Sequence, residues 1–181
     1  MLFTIGQLDQ IKFHGHLTSH NVFVEIKNSI LISLKVSDIE NYDFMEYANM
    51  FYSYKFSSVW SPPECLRQQK KMQGMSTTWD VYSFGMILWE LWNQSVPFDN
   101  DIHQAVQYVV KEESRPRILQ FDTQLEESER NRIQQKSENS DISFCDEIIA
   151  SLIRKCWSQN EEQRPSFYDI CYLLTNKINQ L

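Results

Sequence analysis

The stretch Val81 to Trp92 constrains the fold of this chain more than any other. Val81, Phe84, Leu88 and Leu91 fall on one face of a helix, and Met86, Ile87 and Trp89 cover another. A helix that is apolar almost all round has no side to give to water, so it belongs in the middle of a domain. Thr77 and Thr78 offer amino-terminal caps, and Pro97 lies beyond its end. The rest of the chain has to pack around it.

The flanking patterns are weaker. Residues 1–13 read as the end of a helix, with Leu2, Ile5, Leu8 and Ile11 spaced by three. Val22-Phe23-Val24 and the run Ile30–Val36 enclose a polar turn at Lys27-Asn28-Ser29, which predicts a short hairpin. Residues 41–60, aromatic and polar without clear period, are expected to be a long ordered loop ending before Pro62-Pro63. Residues 102–110 suggest an amphipathic helix, and the charged stretch 119–142 a surface insertion. Ile148, Ile149, Leu152, Ile153 and Cys156 mark another helix, and Phe167, Ile170, Cys171, Leu174 and Ile178 a last one. The prediction is a mainly α domain with one short hairpin and no linker.

Composition excludes several functions. With 181 residues and 42% apolar content the chain suits one domain with its own core. The four glycines, Gly6, Gly15, Gly74 and Gly85, lie too far apart to form a phosphate-cradling glycine loop. A net charge of −7 gives no support to nucleic-acid binding; the basic stretch Arg67–Lys71 reads as a solvated helix end. No segment approaches the roughly 20 apolar residues of a membrane span. The scattered cysteines, Cys65, Cys145, Cys156 and Cys171, suit small buried hydrophobes in a reducing, cytoplasmic setting.

From residue 14 onward the order of motifs resembles the large lobe of protein kinases, in the style of the tyrosine-kinase-like and tyrosine kinase groups. His14-Gly15-His16-Leu17-Thr18-Ser19-His20-Asn21 stands where that family has H-R-D-L-x-x-x-N, and Ser37-Asp38-Ile39-Glu40 spans its D-F-G. Trp60-Ser61-Pro62-Pro63-Glu64 is similar to the A-P-E end of the activation segment. Asp80-Val81-Tyr82-Ser83-Phe84-Gly85 is similar to the start of the family's central helix, and Val96-Pro97-Phe98 to the turn after it. Cys156-Trp157 and Arg164-Pro165-Ser166-Phe167 resemble its closing signature.

The resemblance implies a carboxy-terminal lobe over 1–181 with the small lobe absent. Its parts are a degenerate catalytic loop and hairpin at 14–40, an activation segment at 41–64, a central helix at 77–92 and a polar insertion at 119–142. It implies structural roles for His14, Glu64, Asp80 and Arg164, with Glu64 and Arg164 joined in a largely buried salt bridge. Tyr47, Tyr52, Ser53, Tyr54, Ser57 and Ser58 would be sites for another kinase, or simply packed side chains.

Phosphoryl transfer requires positioned magnesium, cations on the phosphates and a base at the attacking hydroxyl. The base position holds His16, the arginine before it is Gly15, and the lysine two residues after it is Thr18. Asn21 and Asp38 survive as magnesium ligands, should nucleotide bind, but Glu40 replaces the D-F-G glycine. The glycine-rich loop and phosphate-binding lysine of the small lobe are missing. The expectation is therefore a pseudokinase fragment, a regulatory or protein-binding module that needs no cofactor and does not catalyse. Its partner would be a signalling protein or the missing small lobe, with no nucleic acid or membrane span. The alternative is part of a weakly active, Mg–ATP-dependent Ser/Thr or Tyr kinase using Asn21, Asp38 and His16. The spacing His14-x-His16-x3-His20 also leaves zinc to be weighed, though a structural zinc wants four ligands.

Overall fold

The apolar stretch lies inside a helix of 17 residues, Thr77–Asn93. It is seen in a computed structural model, which describes residues 13–38, 58–67, 76–118 and 140–178. In chain order the elements are strands β1 (Val22–Lys27) and β2 (Ile30–Val36), a short α1 (Pro63–Leu66), and α2 (Thr77–Asn93). Then come α3 (Ile102–Ala105), running on as a π-helical turn over Val106–Lys111, α4 (Ser140–Cys156) and α5 (Phe167–Ile178). Among the described residues the fold is mainly helical with one two-stranded antiparallel hairpin.

Helix α2 is enclosed as its pattern predicts, with Val81, Tyr82, Met86, Ile87 and Trp89 all buried. Around it gather Val59, Trp60, Val109, Ala150, Ile153 and Trp157. Each large side chain so buried contributes about 1.5–3 kcal/mol relative to exposure. The cap differs from the one expected. Ser76, not Thr77 or Thr78, accepts the Thr78 backbone N–H at 3.3 Å, because Ser76 is the last residue with extended backbone. Gln94 ends the helix in the left-handed region, at φ 52.

α4 lies against α2 so closely that a Cβ on Gly85 would stand 2.7 Å from Cβ of Cys156. Its apolar face, Ala150, Leu152, Ile153 and Cys156, is buried there. The helix begins at Ser140, inside the last residues assigned to the polar insertion. α5 buries Ile170 against Val81, Leu152 and Cys156, with Leu174 packed on them, while Cys171 faces solvent. Cys171 therefore departs from the expectation of buried cysteines, lying one position off the buried stripe; Cys156 conforms to it.

The hairpin turns on Asn28 and Ser29, both with positive φ (51° and 64°), as a two-residue connection between twisted strands requires. The expected helix end at 1–13, the loop at 41–60 and the insertion at 119–142 fall mostly on residues outside those described. Among the described residues no helix is long and apolar enough to cross a membrane.

Candidate functional site

One carboxylate fastens the turn that precedes the hairpin. Asp80, in the first turn of α2, accepts the His14 backbone N–H at 2.6 Å and the Gly15 N–H at 2.9 Å. Gly15 has φ 82, a conformation open to glycine at little cost. Burial pushes the Asp80 carboxyl above its ordinary pKa, and the two N–H groups pull it back. A buried acid of this kind holds backbone in place rather than exchanging protons with solvent.

The His14 ring ties the turn to the far end of β2. Its Nδ1 accepts the His16 backbone N–H at 3.2 Å, which leaves Nε2 to donate to the Ser37 carbonyl at 2.8 Å. Asn21 closes the unit from below. Its side-chain Nδ2 donates to the His16 carbonyl at 3.0 Å, and its own carbonyl accepts the Ser37 N–H at 2.9 Å. Asp38 follows at once, exposed and in the left-handed region at φ 57. His14, His16, Asn21, Asp38 and Asp80 thus gather into one unit; Glu40 lies outside the described residues.

His16 stands at the position where the resemblance expects a base. Burial, and next the neighbouring His14, hold its imidazole below the ordinary pKa, while Asp38 opposes them. A neutral imidazole can take a proton, but it brings no negative charge to a metal ion or an attacking hydroxyl. Among the described residues no three His, Cys, Asp or Glu side chains are arranged to hold a metal ion. His14 is spent on backbone, and His20 stands edge-on to the Trp60 ring at 5.3 Å.

Glu64 and Arg164 meet beside the same first turns of α2, through partners of their own. Arg164 bonds both oxygens of Glu64 at 2.7 and 2.9 Å, and also the carbonyls of Thr78 and Ser158. It lies over one side of the Tyr82 ring at 5.1 Å, and Arg115 lies over the same ring at 5.3 Å. The Tyr82 hydroxyl is fully enclosed, and burial pushes its pKa up to about 12.

Two contributors escaped the sequence reading. Glu90 accepts from the Trp60 indole at 2.9 Å and from the Ser19 hydroxyl at 3.0 Å, joining the turn to the segment before α1. Its signal was available, since Glu90 is the one charged residue within Val81–Trp92. Arg115 binds the Trp157 carbonyl at 2.9 Å and Gln159 at 2.7 Å, and no local pattern announces it.

Comparison with known proteins bears on these arrangements. A family model described as protein tyrosine and serine/threonine kinase matches residues 8–174. The chain is 26% identical over 173 residues to the resact receptor of Arbacia punctulata, covering 91% of this chain and 16% of that protein. It is 33% identical over 102 residues to a probable serine/threonine-protein kinase of Dictyostelium discoideum, covering 56% of this chain and 6% of that one. It is 24% identical over 160 residues to the receptor-type guanylate cyclase gcy-14 of Caenorhabditis elegans, covering 88% and 13% respectively. The chain spans no more than 16% of the length of these three relatives.

Proposed function

This chain belongs to the protein tyrosine and serine/threonine kinase family, and on that premise we propose that it is the large lobe of a kinase-like domain kept for binding and regulation rather than for phosphoryl transfer. The observation that carries this reading is the unit around His14. Asp80, His14 and Asn21 brace the loop through buried and half-buried hydrogen bonds, while the base position holds His16. A framework built without its reacting group is what a binding module retains.

The fit to magnesium–nucleotide is poor. Asn21 and Asp38 are an oxygen pair of the type magnesium takes, and the bound group would supply the transferable phosphate. The surroundings do not favour it. Gly15 and Thr18 bring no positive charge where the resemblance places arginine and lysine, and His16 is neutral. Loss of a positioned base lowers such rates about 10²–10⁴-fold. The roles of Asn21 and Asp38 are then structural, in a protein of signalling function that sits in the cytoplasm and takes a protein partner.

The likeness to a receptor-type guanylate cyclase favours a second reading, in which the lobe regulates a catalytic domain joined to it. Phosphate transfer by the 181-residue chain to a generic protein substrate tests the first claim. The expected result is none above background; transfer abolished by Asp38→Ala would overturn it.

A further inference from the structure

Past the carboxy-terminal end of α2 the chain folds around a cavity of about 520 Å³, lined by residues between Trp89 and Arg117. That volume suits a small molecule. The apolar walls are Trp89, Val96 and the rings of Phe98 and Tyr108, which stack at 5.9 Å. The backbone bends sharply to make them. Phe98, Asp99 and Asn100 all have positive φ (51°, 50° and 60°), and Tyr108 sits in the π-helical turn. A phenylalanine in the left-handed region is strained, and strain and π turns both collect at functional sites. Trp89 lies about 13 Å along α2 from Asp80, so the cavity is separate from the loop around His14.

Arg115, in the lining, is a cation short of an anion. Of the two guanidinium groups against the Tyr82 ring, that of Arg164 is neutralised by both oxygens of Glu64. Arg115 bonds neutral acceptors instead: the carbonyls of Trp157 and Ser114 at 2.9 and 2.8 Å, and the Gln159 amide oxygen at 2.7 Å. The carboxylates nearest in sequence are engaged elsewhere, Glu112 with Gln107 at 2.9 Å and Glu113 with Arg67 at 3.9 Å. A half-buried charge left unpaired is costly, and burial holds the Arg115 pKa below its ordinary value. A guanidinium has five N–H groups, so the three bonds leave one on each terminal nitrogen.

We propose that this cavity binds a small aromatic monocarboxylate, with its carboxylate on Arg115 and its ring against Trp89, Phe98 and Tyr108. A carboxylate accepts strongly from a guanidinium and supplies the missing anion, while the aromatic walls take the ring in offset or edge contact. Exposed Asp99 and Glu112 also belong to the lining and are offset only in part by Arg117. They oppose a dianion such as phosphate, so a single negative charge is the better match.

Titration of the full chain with phenylacetate, followed by saturation-transfer NMR, is the test. Saturable binding with a Kd of about 1 mM or below is expected. Phenylacetamide, which keeps the shape and loses the charge, and inorganic phosphate are each expected to bind about tenfold more weakly or worse. Arg115→Gln is expected to abolish binding of the acid. Because that change also touches the bonds to Trp157 and Gln159, its fold is checked by circular dichroism, and Val96→Glu is measured beside it. Val96 is 42% exposed, and a carboxylate there is expected to weaken the acid about tenfold while sparing the amide. Whichever of phenylacetate and N-acetylphenylalanine binds more tightly supports the same site, and tells a free acid from a peptide end. No saturable binding of either acid up to about 10 mM would overturn the proposal. So would equal binding of acid and amide, or indifference to Val96→Glu. Nucleotide binding is read separately, so either claim can fail alone.

Discussion

Arg164 grips both carboxylate oxygens of Glu64, at 2.7 and 2.9 Å, across a hundred residues of sequence. The arginine side chain is wholly enclosed, and that of Glu64 is 11% exposed. Such a pair gains little over apolar residues of the same shape, but removing one partner strands the other. Glu64→Gln and Arg164→Leu are each expected to cost about 3–5 kcal/mol in urea denaturation. A loss below about 1 kcal/mol would be the behaviour of a solvated surface pair instead.

Gly85 is needed for what its missing side chain would strike. An added Cβ meets Cys156 Cβ at 2.7 Å and the Trp157 nitrogen at 3.3 Å, neither of which is the flexible end of a side chain. Gly85→Ala gains helix propensity in α2 but forces α4 outward, for a net loss of about 1–3 kcal/mol. A thermal melt measures it; a rise in melting temperature would show that α4 can shift freely.

His16 gives the protein a pH dependence of definite sign. Its folded pKa lies below the ordinary 6.5, chiefly through burial. As pH falls through 6.5 the unfolded chain takes up the proton first, so this residue favours unfolding below that point and is neutral in effect above it. Urea midpoints between about pH 5 and 8 are expected to fall toward the acid end, and less steeply in His16→Gln. Identical slopes in the two proteins would mean His16 titrates as in free solution.

What was legible in the sequence is what repeats or what is costly to misplace. The all-round apolar run could be nothing but a central helix, and Asn28-Ser29 between β-rich runs could only turn. Boundaries were harder. Ser76 outcompeted Thr77 and Thr78 as cap because the cap depends on where the backbone leaves the extended region, which residue type alone does not reveal. At the site, His14, Asn21 and Asp80 were readable from their motifs, but not the backbone partners they use. Ser37 enters through its carbonyl and N–H, which any residue would provide. Arg115 reaches Tyr82 and Trp157 through tertiary packing, with no spacing to foretell it.

The central claim, a kinase-family lobe without a working nucleotide site, is tested most directly by thermal denaturation with and without millimolar magnesium–ATP. A ligand that binds only the native state adds RT ln(1 + [L]/Kd), about 2.7 kcal/mol at a hundredfold excess over Kd. The account predicts a cooperative melt that magnesium–ATP leaves in place. A magnesium-dependent rise that disappears in Asp38→Ala would contradict it.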